Sequence, residues 1–135
     1  MGFLANTLYL GPFAEWRLRP GVMEKAAGDP LWEEVAERLW MAWTRHPPPA
    51  ITSGRVTYHR YCFCPQPSEW HRSPEGPLRE FRCDGLRGIL DLRDVDVQAE
   101  LDWFTAEFGP MLARVGERLG GPPVLHWGMV GLDND

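Results

Sequence analysis

The chain has 135 residues, 44% of them hydrophobic and 24% charged, the composition of one ordinary globular domain that removes roughly two-thirds of its unfolded surface from water on folding. Mean hydropathy is -0.35, and no apolar run approaches the ~18 residues of a membrane span, so disordered, fibrous and membrane classes are excluded. The formal net charge is -5, which lacks the basic excess that draws proteins to nucleic-acid phosphates, so no nucleic acid and no membrane is expected as a partner.

Charge is unevenly distributed. Residues 50 to 90 carry six Arg against four acids, and 91 to 135 carry nine acids against three Arg, a mildly basic middle before an acidic end. Three cysteines, an odd number, do not suit a disulfide-paired secreted scaffold, and the opening Met1 to Thr7 has no positive region of a secretory signal. Asn6 stands where a myristoylation motif needs Ser or Thr. A reducing cytosol is the expected location.

Taken in chain order, the first element is Thr7 to Leu10, followed by a break at Gly11-Pro12. A second strand is expected at Phe13 to Arg19, where Ala14, Trp16 and Leu18 alternate with Glu15, Arg17 and Arg19. Asp29-Pro30 then opens a helix, because Asp caps and Pro fits the first helical position. Trp32, Val35, Ala36, Leu39, Trp40 and Trp43 recur at helical spacing and extend it towards Pro47-Pro48-Pro49. Residues 55 to 64, rich in Val, Thr, Tyr, Phe and Cys, predict a strand.

Residues 65 to 77 hold four prolines and no periodicity, and form a long loop. Leu78 to Cys83 and Leu86 to Leu92 flank Asp84-Gly85, a dipeptide suited to a type I′ hairpin turn. Val97, Leu101, Phe104, Phe108, Met111, Val115 and Leu119 make a helical stripe, in which Gly109-Pro110 predicts a kink or two abutting helices. Gly120-Gly121-Pro122-Pro123 ends it, and Val124 to Val130 reads as a final strand. The order ββαβββαβ predicts a single α+β domain over 1–135, a mainly antiparallel sheet with two amphipathic helices packed on one face. Trp40, Trp43, Phe104 and Phe108 are expected in the core.

Cys62, Cys64 and Cys83 with His59 and His71 suggest zinc, but on a strand Cys62 and Cys64 share one face while His59 points to the other, and Cys-x-Cys lacks the usual two-residue knuckle. No metal and no cofactor are expected. Asp91, Asp94 and Asp96 could gather Mg²⁺ for a metal-dependent hydrolase or nuclease, although acids at a helix start also cap it without metal. No Gly-x-Ser-x-Gly or phosphate-binding glycine motif occurs. His126 sits inside an apolar strand, where a hydrogen-bonded structural role and a chemical one both fit.

The recognition feature is the proline-stiffened segment 66 to 82. Its Trp70, His71, Arg72, Arg79 and Arg82 combine an apolar anchor with a basic patch, and Trp and Arg are enriched among interface hot spots. Trp70 could equally fold back over the sheet edge.

Leu8-Tyr9-Leu10-Gly11-Pro12-Phe13 and Leu125-His126-Trp127-Gly128-Met129-Val130, the latter after a long amphipathic helix, together resemble small acidic bacterial immunity proteins encoded beside polymorphic toxins. The resemblance implies a cytosolic inhibitor of one cognate toxin with no catalytic centre of its own. The expectation is therefore a protein-binding module, with the metal-dependent hydrolase and a small-molecule binder lined by tryptophans as alternatives.

Overall fold

A computed structural model describes residues 7–44, 58–66, 80–82, 93 and 95–132. The alternation around Ala14, Trp16 and Leu18 becomes the central strand β1 (Thr7–Leu18). Gly11-Pro12 does not split it into two strands, as the sequence suggested. The proline lies in the interval 10–13, which pairs with β5 (Val124–Leu132) on one flank but with no described strand on the other. Its carbonyl accepts from the Tyr9 hydroxyl at 2.8 Å. Because a strand residue's N and C=O point to the same flank, the missing donor falls where no ladder bond is available to lose.

The chain then forms a short helix α1 (Val22–Ala26) and a second, α2 (Leu31–Arg38). Helix α2 starts one residue later than expected, with Pro30 and not Asp29 at the N-cap; Asp29 still supports the start, its Oδ1 accepting from the Leu31 N–H at 2.9 Å and its Oδ2 from Arg118 Nε at 2.6 Å. The helix does not reach Trp43, however. At Leu39 the backbone turns extended (φ -127°, ψ 139°), and Leu39–Thr44 is strand β2, antiparallel to β3 (His59–Pro65) from Leu39 opposite Pro65 to Thr44 opposite Arg60. Trp40 is consequently only half-buried and Trp43 is 60% exposed, correcting the expectation that both lie in the core.

Strand β4 (Glu80–Arg82) runs opposite Thr7–Tyr9. The Asp84-Gly85 turn, the strand expected after it and the start of the strand expected at 55 lie outside the described residues. Helix α3 (Val97–Leu119) begins where Asp96 accepts from the Ala99 N–H at 3.0 Å. It continues through Pro110 as one helix, not as two abutting ones. Ala106, whose carbonyl loses its i+4 donor, and Pro110 are both exposed, so water can satisfy that carbonyl. Gly120 ends the helix at φ 91°, a left-handed conformation that costs a residue without Cβ little.

Residues 14 and 15 pair with both β3 and β5, and residues 7–9 with both β4 and β5. Strand β5 therefore covers one flank of β1, while β3 and β4 share the other and β2 lies outside β3, all antiparallel. One face packs on α2 and α3 through Ala14, Trp16, Leu18, Phe63, Phe104 and Phe108. The fold is α+β with the helices on one side of an antiparallel sheet, in the order βααβββαβ. Among the described residues no helix is long and apolar enough to cross a membrane.

Candidate functional site

The strand period of two sends Glu15 and Arg17 to the face that carries no described helix. The registers then add neighbours. Cys62 lies opposite Glu15 and Arg60 opposite Arg17 on β3, and His126 lies opposite Phe13 on β5. Three adjacent strands thus bring one carboxylate, two guanidinium groups, an imidazole and a thiol together on one surface.

Glu15 is the centre of this group and is only 3% exposed. Its Oε2 accepts from Arg60 Nε at 2.5 Å, and its Oε1 meets His126 Nε2 at 3.0 Å and Arg17 Nε at 3.9 Å. Burial alone would push the Glu15 carboxyl up; the hydrogen bond and charge of Arg60, the hydrogen bond to His126 and the charge of Arg17 outweigh it and hold the carboxyl below its ordinary value. The same hydrogen bond, donated by Arg60 to Glu15, raises the pKa of Arg60. The His126 ring stacks on Phe13 with centroids 5.1 Å apart, which fixes its plane.

These side chains floor a concavity of about 370 Å³, lined also by Ala42, Trp43, Met129 and Val130. The sheet curls so that its outer strands β2 and β5 approach one another across this face. Beside the polar group, Tyr9, Cys64 and Val130 form a small apolar cluster with Phe13, Trp40 and Ala42 packed against it. A second hollow of about 480 Å³ lies between α1, α2 and β2. Its lining is apolar except for Gln66, whose amide already donates to the Ala36 carbonyl at 2.9 Å, so it offers little to orient a ligand.

Burial, with Glu15 nearby, pushes the Cys62 thiol up to about 11, the Arg60 charge opposing only in part. It is therefore protonated near neutral pH and unsuited to nucleophilic attack. Burial also raises the Cys64 thiol well above its ordinary value. On β3 the two cysteines occupy the same parity and His59 the other; among the described residues no group of His, Cys, Asp and Glu has metal-binding geometry. Glu15 cannot readily serve a cation, since both of its oxygens already face positive or donor groups.

Of the recognition residues expected from sequence, Trp70, His71, Arg72 and Arg79 lie outside the described residues, and for Arg82 only the backbone position opposite Thr7 is described. Cys83, His71, Asp91 and Asp94 also lie outside them. Asp96 is engaged as the α3 cap. His126 is brought into the polar group, in contact with Glu15. Sequence reasoning missed Glu15 and Arg17, which read as the polar side of an alternating strand, and did not single out Arg60. The signal available was the register: once three strands are aligned, the acid falls between two arginines.

No family model matches the chain, and no curated protein or solved structure matches it.

Proposed function

We propose that the protein is a binding module for another protein, in its specific form an immunity-type inhibitor of a cognate bacterial toxin in the cytosol, and that the partner docks along the outer strands β2 and β5, which flank the concavity. One observation carries this reading. Of the six large apolar side chains exposed among the described residues, five lie on the outer strands: Met41 and Trp43 on β2, and Val124, Leu125 and Met129 on β5. Trp43 and Met129, each 60% exposed, belong to the β2 and β5 rims of the concavity; by register, opposite Tyr61 and Leu10, their side chains take the outward parity of those rims and not that of Glu15.

Such an arrangement suits recognition. Trp supplies a large rigid anchor, Met adapts to an irregular surface, and polar groups already fixed by Glu15 lose little freedom on binding. A stable interface needs about 800 Å² from this side, more than the concavity alone provides, so the surfaces of β2 and β5 take part. The reading needs no catalytic group, consistent with a protonated Cys62 and a Glu15 occupied by its neighbours.

The test is co-expression with the toxin domain encoded beside the gene. Rescue of growth and co-elution as a stoichiometric complex are the expected results. Unrelieved toxicity with no complex, from a chain shown to be folded, contradicts the proposal.

A further inference from the structure

We infer that the concavity on the helix-free face receives one acidic side chain of the partner, whose carboxylate pairs with the guanidinium of Arg60. This rests on the protein-binding reading above and adds the chemistry of the contact.

The argument begins with a charge count. On this face β1 contributes Tyr9, Glu15 and Arg17; β3 contributes Arg60, Cys62 and Cys64; β5 contributes His126; β4 adds one charge of each sign, with Glu80 opposite Tyr9 and Arg82 opposite Thr7 at the far end of β1; and residues 39–43 of β2 contribute no ionisable group. With the β4 charges cancelling, two guanidinium groups meet one carboxylate around Glu15, leaving one positive charge in excess among the described residues even with His126 neutral. Arg60 is half-buried and commits its Nε to Glu15; among the described residues its terminal nitrogens have no further partner. The bond to Glu15 sets the direction of the fork, so two donors are held ready for a planar acceptor. Phe13, Ala42 and Val130 line the same concavity, an apolar wall that strengthens a pairing made beside it relative to open solvent.

The chain as a whole carries a net charge of -5, so its long-range field repels an acidic surface. The fit is consequently local: one Asp or Glu within a partner surface that is otherwise neutral or basic and that extends over the β2 and β5 rims.

The probe is N-acetyl-glutamate amide, titrated into the isolated protein at constant ionic strength, with N-acetyl-glutamine amide as its neutral counterpart. The readout is the NMR signal of the Arg60 Nε–H and of the His126 ring. Saturable shifts at millimolar concentration with the Glu compound and none with the Gln compound are expected. Arg17→Gln, which removes a half-exposed charge without unpairing Glu15 from Arg60, should weaken the binding by about threefold or more. Absent shifts, or equal shifts with both compounds, overturn the inference. Tighter binding of inorganic phosphate also overturns it, by marking a phosphate site, and micromolar affinity for the free Glu compound does so by marking a small-ligand site. If the probe fails while Trp43→Ala still breaks the partner complex, the acidic contact falls and the docking face stands. If the probe binds but neither Trp43→Ala nor Arg17→Gln alters the complex, the docking reading falls, and the partner's carboxylate with it.

Discussion

Arg60 of β3 lies directly opposite Arg17 of β1, a like-charge cross-strand pair that would by itself oppose the register. Glu15, two residues before Arg17 and on the same face, takes the Nε of Arg60 at 2.5 Å and faces the Nε of Arg17 at 3.9 Å. The buried acid thus turns a repulsive pair into a bridge across the two strands. Glu15→Gln keeps the shape and removes the charge, and should lower stability by about 1.5–3 kcal/mol, the usual range for hydrogen bonds to charged groups. Urea unfolding measures this directly; a change below about 0.5 kcal/mol would mean that the acid does not hold the strands together.

The same group gives stability a dependence on pH. The folded-state pKa of Glu15 lies below its ordinary 4.5, despite burial, through Arg60, His126 and Arg17. A depressed carboxyl contributes stability that is fully present above the unfolded value and is lost as pH falls through the folded one. Acidification below 4.5 should therefore destabilise the native chain more steeply than Glu15→Gln. Parallel stability profiles for the two proteins over that window would contradict the assignment.

Gly116 packs where a side chain cannot. A Cβ placed there comes within 2.7 Å of the Gly121 carbonyl oxygen, and that oxygen accepts from Trp16 Nε1 at 2.8 Å, so it cannot retreat without breaking a buried contact. Replacing a helical glycine by alanine ordinarily gains ~1 kcal/mol. Here overpacking, typically ~1–3 kcal/mol, outweighs that gain, and Gly116→Ala should lower the urea midpoint. A raised midpoint would show that the turn after α3 moves freely.

Cys62 should be a slow thiol. With its pKa pushed from 9.0 to about 11 by burial and by Glu15, its thiolate fraction at pH 8 is about a hundredfold lower than that of an ordinary cysteine, and alkylation slows in proportion. Iodoacetamide labelling followed by mass spectrometry of the Cys62 peptide checks this. A rate equal to that of a free thiol would place Cys62 in a different environment.

The fold was legible where periodicity is local. The alternation around Trp16, the stripe from Val97 to Leu119 and the Asp29-Pro30 helix start all follow from neighbouring residues. Leu39–Thr44 misled because Val35, Leu39, Trp40 and Trp43 keep helical spacing past Arg38. The pairing with His59–Pro65 that makes this segment a strand is non-local, so a pattern read along the chain does not contain it. The site was less legible for the same reason. Glu15 and His126 are 111 residues apart and Glu15 and Arg60 are 45 apart, and an acid followed by arginines at alternate positions of a strand has the pattern of a solvent-facing side. His126 stood out because it interrupts an apolar run; its partner did not.

The most direct test of a docking face on β2 and β5 is the dissociation constant, by calorimetry, of the complex with the proposed partner, a toxin domain, for Trp43→Ala, measured beside Trp70→Ala from the segment that sequence alone favoured. Trp43 is 60% exposed and leans on the His59 ring at 6.3 Å, so its truncation should leave the melting temperature nearly unchanged. The account predicts weakening by about 2 kcal/mol or more for Trp43→Ala, roughly thirtyfold in Kd, mostly through faster dissociation. Unchanged affinity in Trp43→Ala together with a large loss in Trp70→Ala would move the interface to the 66–82 segment and contradict it.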